Sequence, residues 1–274
     1  MPSAPSDPSA PPSGEVSSEP VGALAACWRY PVKSFQGLSV DELTVARGGA
    51  DGDRTFGLID VATGRLMSAK RTAVLLSAAA TDTTMTLPDG TEVAVDDPEV
   101  DKVLSAWLDR DVRLARAQDE GAVSYQMTFD PPDDDSEVFD IPTPEGTFLD
   151  LAAVHLLTTA TLDGCAAARP DLDWDVRRFR PTLLVDAEGE MLLEQTWIGG
   201  RVQVGDDLVL SIDQPTVRCA MPLRAQPGGL DRQPDLFRAL NELNAAAPNH
   251  LGVYCSVVAP GVVRPGDPVT VLSR

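Results

Sequence analysis

Short apolar runs separated by Gly, Pro, Asp and Asn dominate the chain, and most carry strand rather than helix spacing. TFGLID (55–60) and RLMS (65–68) flank a turn at Val61-Ala62-Thr63-Gly64. MTL (85–87) and EVAV (92–95) flank Pro88-Asp89-Gly90-Thr91, and RVQV (201–204) and LVLSI (208–212) flank Gly205-Asp206-Asp207. Each pair predicts a hairpin, because the turn residues tolerate the backbone a reversal needs. DVRLA (111–115), FRPTLLVD (179–186), LGVYCSVVA (251–259) and PVTVL (268–272) predict further strands. Helical spacing is rarer. It marks Pro98–Trp107, a segment from Thr161 capped by Thr158 or Thr159 and ended by Pro170, and DLFRALNELNAA, where Leu236, Phe237, Leu240 and Leu243 share a face. The resulting expectation is a mainly β, α+β protein with barrel or sandwich packing and no βαβ alternation.

Breaks in the pattern divide the chain. Residues 1–20 hold Pro, Ser and little to bury, and are expected to be a disordered tail. Residues 21–118 form a first β-rich module. The stretch 119–146 contains DPPDDDSEVFDIPTP and is expected to be a solvated acidic linker, since its prolines and carboxylates oppose both helix and central strand. A calcium loop is excluded there, because neither register from Asp130 or Asp133 places Gly sixth and Glu twelfth. Residues 147–274 form the second module.

Composition narrows the function classes. The 274 residues are 43% hydrophobic and 23% charged, which describes a globular chain. A formal charge of −20 repels phosphate backbones and anionic membranes, so neither nucleic acid nor membrane is expected as a partner. No apolar run approaches the ~18 residues of a membrane helix, and the first residues lack the basic and apolar regions of a secretory leader. Cys27, Cys165, Cys219 and Cys255 are far apart, without a CxxC pair, which points to free thiols and a cytoplasmic setting. With only His155 and His250, a multi-histidine zinc site is excluded. Nucleotide-binding glycine motifs and a GxSxG elbow are absent.

Basic residues are scarce yet grouped: Lys33 beside Ser34, Arg54, Lys70 beside Arg71, Arg177 and Arg178 with Arg180, and Arg218. Converged, they would make an anion pocket of guanidinium forks and ammonium charges. Left apart, each would pair with one of the 42 acidic residues as an ordinary surface contact. Cys219 follows Arg218 in a loop bounded by Pro215 and Pro222, a setting that favours a thiolate nucleophile, sulfur carrier or soft-metal ligand. The competing reading is a small buried hydrophobe, which the apolar surroundings of Cys27, Cys165 and Cys255 favour for those three. His155 reads as a satisfied core histidine, His250 as a turn residue, and the four tryptophans as packing.

In chain order, WRYPVKSFQGLSVDELTVARGGADGDRTFGLID resembles the β-barrel extension that precedes MOSC domains. RRFRPTLLVD, WIGGRVQVGDDLVL, PTVRCAM and LGVYCSVVAPGVVRPGDPVTVL resemble the MOSC domain itself. The resemblance spans residues 22–274 apart from the acidic stretch, and it is to relatives of the amidoxime-reducing components. It implies a molybdenum cofactor, held by its pterin dithiolene and one protein cysteine, with basic and hydroxyl side chains on the terminal phosphate. Carried over, Cys219 is the metal ligand and catalytic residue. Lys33, Ser34, Arg54, Lys70, Thr158, Arg178, Arg180 and Arg218 are the expected cofactor-binding residues. The resemblance further implies reduction of N-hydroxylated or N-oxide small molecules, with an external electron-donor protein, because this chain has no Fe–S cysteine cluster or flavin fingerprint. MOSC domains fused to sulfurases supply the alternative of a sulfur carrier or cofactor-handling protein. Three departures stand out: Thr182 replaces a family Asn, Lys70 replaces an Arg, and Pro222–Gly229 replaces a Thr-rich segment. The overall negative charge favours neutral or cationic substrates.

Overall fold

The computed structural model describes residues 20–128 and 137–272. The expected tail, apart from Pro20, and the acidic run 129–136 lie outside the described residues.

Seven strands close into a barrel in the order Leu183–Ala187, Val154–Thr158, His250–Ala259, Leu208–Val217, Arg201–Val204, Pro268–Leu272 and Pro20–Arg29, the last pairing back onto the first. Closure removes free edges. All contacts are antiparallel except Val154–Thr158 with Leu183–Ala187, a parallel pair whose crossover connection includes helix Thr159–Ala168. Alternating Val, Leu and Ile from these strands fill the barrel: Leu24, Leu156, Val185, Val202, Leu210, Ile212, Val253 and Val269 are essentially inaccessible. The predicted hairpin at 205–207 is present, pairing Val202 with Leu210. The first strand of the N-terminal half is thus a stave of the C-terminal barrel, and Gly261–Val263 reciprocates by pairing with Leu43–Ala46.

The N-terminal module has its own core of Val32, Phe35, Leu58, Met67, Leu75, Leu76, Met85 and Leu104. Around it lie the pair Phe56–Asp60 and Val112–Arg116, the three-stranded sheet ending in the predicted 84–94 hairpin, and helix Val100–Leu108. Met221 from the C-terminal half belongs to this core, and Cys219 packs at its edge. The loop after strand Leu208–Val217 therefore leaves the barrel and plugs into the other module.

Three expectations need correction. RLMS forms no full strand; Leu66 makes a single bridge to Ile59, and its N–H bonds Ser124 instead. The strand expected to end near Ile212 runs to Val217, through bulges that let Pro215 lie within it without breaking the pairing. Part of the expected acidic linker is ordered: Ser124–Thr128 pairs antiparallel with Val138–Pro142. Two-stranded pairing tolerates Pro142 at a strand end, and Tyr125 anchors the ribbon by inserting into a core of Ile59, Leu66 and Phe148.

Candidate functional site

A crevice open to solvent lies where the modules meet. Arg54 reaches it from the N-terminal module, and the barrel side supplies Asp150, His155, Arg180, Thr216, Arg218, Cys219 and Tyr254. Cys219 is half-buried, whereas Cys27, Cys165 and Cys255 are fully buried, with thiols pushed upward first by burial, Cys27 to about 11 and Cys165 to about 12.

Local backbone geometry aims the arginines. Arg54 ends the turn Asp51–Arg54 in the left-handed region (φ 49°); its N–H bonds Tyr30 O at 2.8 Å, while Asp53 accepts from the Tyr30 N–H at 2.7 Å. Arg180 caps the short helix Val176–Phe179, also left-handed (φ 53°), and Ser34 is a third such residue (φ 72°). Non-glycine residues cost about 1 kcal/mol or more in this region, and such strain concentrates where a side chain must be presented. The Arg180 guanidinium lies 4.0 Å and the Arg54 guanidinium 4.8 Å from the centroid of the Tyr30 ring, and the Tyr30 hydroxyl donates to Pro181 O.

The cations differ in their partners. Arg54 pairs with Asp53. Arg180, 7% exposed, donates to Phe35 O at 2.6 Å, and Arg218, 8% exposed, donates to Phe179 O at 2.7 Å. Neither meets a carboxylate among the described residues, and Arg218 Nε has no partner at all. Burial pulls both guanidiniums below their ordinary range, Arg180 to about 10, and neighbouring Arg54 adds to the effect on Arg180. Buried cations without a counter-charge are costly, which makes the crevice an anion site in wait. The buried hydroxyl of Thr216 is likewise unpartnered.

Lys33 and Lys70 do not line the crevice; they stand behind it. Both are 4% exposed and share Asp150, at 2.6 Å and 3.0 Å, with the Tyr125 ring against both ammoniums. Lys33 also donates to Phe148 O at 2.7 Å. Burial lowers Lys33 to about 8; for Lys70 burial acts in the same direction, but Asp150 and Cys219 outweigh it and hold the ammonium high. Burial would raise Asp150, yet the two lysines keep it far below the usual carboxylate range.

Three other expected ligands serve the scaffold. Ser34 accepts from the Ala69 N–H at 3.0 Å, fixing the Lys70 loop. Thr158 caps helix Thr159–Ala168 and donates to Glu194 at 2.6 Å, fully buried and away from the crevice. Arg178 is 0% exposed and donates to Pro222 O, Arg224 O and Asp231 O, so it shapes the loop after Cys219. Sequence grouping brought these residues near the site, but their side chains point into protein.

His155, expected in the core, lines the crevice. Its ring accepts from Arg218 Nη1 and faces Arg180 O, each at 3.4 Å, and burial followed by the Arg218 charge holds it well below its ordinary range, hence neutral. Tyr254 is pushed up to about 12 by burial and keeps its proton. No sequence pattern singled out Asp150, Thr216 or Tyr254, each embedded in an apolar or strand-like run.

Among the described residues no three His, Cys, Asp or Glu side chains gather to hold a bare ion. One accessible thiol beside buried, unpaired guanidiniums instead suits a metal that arrives with its own sulfur ligands and an anionic tail. The residues present fit such a group. No described helix is long and apolar enough to cross a membrane.

Comparison with known proteins agrees with the motifs. No curated protein matches the chain. Among solved structures it is similar to the YUAD protein from Bacillus subtilis, at 11% identity and TM-score 0.45 over 92% of this chain and 96% of that one. It is also similar to YiiM from Escherichia coli, at 14% identity and TM-score 0.37 over 90% of this chain and 70% of that one. MOSC domains are associated with molybdenum-cofactor sulfurases and binding proteins. The family models match directly, the MOSC domain over residues 144–270 and the MOSC N-terminal beta barrel domain over residues 21–138. Together with the closed barrel and the cysteine at the module junction, these matches place the chain in the MOSC family, as a member carrying the N-terminal β-barrel domain.

Proposed function

We propose that this protein binds a molybdenum cofactor in the inter-module crevice and reduces N-hydroxylated or N-oxide small molecules. The observation that carries the reading is the pairing of a half-buried thiol, Cys219, with two buried guanidiniums that lack carboxylates, Arg180 and Arg218, on one crevice wall. Cys219 would ligate the metal, while Arg54, Arg180 and Arg218 would bind the anionic end of the cofactor. Lys33 and Lys70 act through Asp150 and set the potential behind that wall.

When bound, the cofactor supplies the redox-active metal at which an N–O bond is cleaved. The net reaction takes two electrons and two protons, converting R=N–OH to R=NH and water. The electrons come from an external donor protein. Neutral His155 braces Arg218, and protonated Tyr254 offers a hydroxyl at the crevice wall. A cytoplasmic location accompanies this reading.

The test is turnover of an aryl amidoxime by the cofactor-loaded protein with an artificial low-potential donor. Wild type is expected to release the amidine, and Cys219→Ser to lose at least 100-fold in kcat, the scale of losing an essential active-site contact. Wild-type protein that carries a persulfide on Cys219 and transfers sulfur, with no reduction of any N–O substrate, would replace this reading by that of a sulfur carrier.

A further inference from the structure

The reduction proposed above leaves the body of the substrate undefined, and the crevice lining defines it. Asp150 is the one carboxylate among the lining residues, and two buried lysines already neutralise it. The remaining charged side chains of the lining, Arg54, Arg180 and Arg218, are those that the cofactor's anionic end would neutralise. A cationic substrate therefore meets no uncompensated negative charge, whatever the net charge of −20 does over the outer surface.

Part of the lining is aliphatic and stands in water. Leu151 and Val217 are 56% and 38% exposed, among the most exposed large apolar side chains described, and both line the crevice. Met221 and Ala152 also line the crevice. Large aliphatic groups left in water around a concave site mark where a ligand's apolar part docks. We infer that the crevice selects uncharged N–O substrates with an apolar body, gripped at the mouth by Leu151 and Val217. This rests on the reduction reading, and it reverses the expectation from net charge that cationic substrates are equally welcome. Global charge governs encounter; the lining governs what stays.

The experiment uses the full-length, cofactor-loaded protein and two aryl amidoximes of equal size, one uncharged and one bearing a quaternary ammonium at the far end of the ring. The uncharged compound is expected to have at least tenfold higher kcat/KM. Leu151→Asp and Val217→Asp are expected to raise its KM about five- to tenfold, the scale of one partly buried aliphatic contact, with kcat retained. The same factor should appear in the calorimetric Kd measured without any electron donor. Leu151→Met, which keeps an apolar side chain there, should retain wild-type KM and Kd. Equal or better use of the cationic compound, unchanged KM and Kd in both Asp variants, or no binding of the uncharged compound would overturn the inference. Binding of the uncharged compound with the expected selectivity but no turnover would sink the reduction reading alone.

Discussion

Replacing Asp150 by Asn removes one charge from the Lys33–Asp150–Lys70 cluster while keeping its shape. Both ammoniums are 4% exposed, and the Asp150 side chain is 31% exposed. Asn can accept from one lysine through its single oxygen but presents an NH₂ group to the other. Breaking a buried pair from one side costs ~3–5 kcal/mol, and the partial exposure of Asp150 reduces that to about 2 kcal/mol. For a chain of this size that is a fall of about 6 °C in Tm. The loss should also depend on pH. In the wild type Lys33 titrates near 8, below its ordinary 10.5, so the unfolded chain binds the extra proton across that window and stability rises with pH. Without the carboxylate the Lys33 ammonium is held less tightly and its native pKa falls further, so the Lys33 part of the variant's deficit is fullest on the acid side of pH 7 and fades as pH rises towards 8. Thermal unfolding of cofactor-free wild type and Asp150→Asn at several pH values measures this. A deficit under ~0.5 kcal/mol, the scale of a surface pair, or one that does not change with pH, would refute the reasoning.

Arg178→Lys keeps the charge but loses the fork that donates to Pro222 O, Arg224 O and Asp231 O; apo stability should fall by about 2–3 kcal/mol by urea unfolding. His155 is held neutral, so the unfolded chain takes up a proton that the native state refuses, and stability should fall as pH drops below 6.5. His155→Gln should flatten that slope in a pH series of Tm values, and an unchanged slope would assign it elsewhere.

Much of this was legible in the chain. Turn residues between short alternating runs gave most hairpins and the capped helix from Thr159, because those features are local. The RCAM cysteine and Arg54, Arg180 and Arg218 do converge, as the ordered motifs implied. What could not be read was direction. Arg178 and Arg180 are two residues apart, yet helix Val176–Phe179 buries one under the loop after Cys219, and the left-handed cap turns the other into the crevice. His155 sits in an apolar strand whose pairing with 250–259 places it on the crevice side rather than the barrel interior. Tyr125 comes from the stretch 119–146 that reads as linker and Asp150 from the apolar run just after it, and only tertiary contact with Lys33 and Lys70 gives them a role.

Central to the account is that Arg54, the carboxylate-free Arg180 and Arg218, and the Cys219 thiol hold an anionic, metal-bearing pterin. Elemental analysis together with oxidised-pterin fluorescence, on protein made in a host that synthesises the cofactor, tests it most directly. Molybdenum and pterin near one per chain in wild type, both lost in an Arg54→Ala, Arg180→Ala double variant that still melts cooperatively, are the predicted results. Wild type free of molybdenum and pterin, or equal loading of the double variant, would contradict the account.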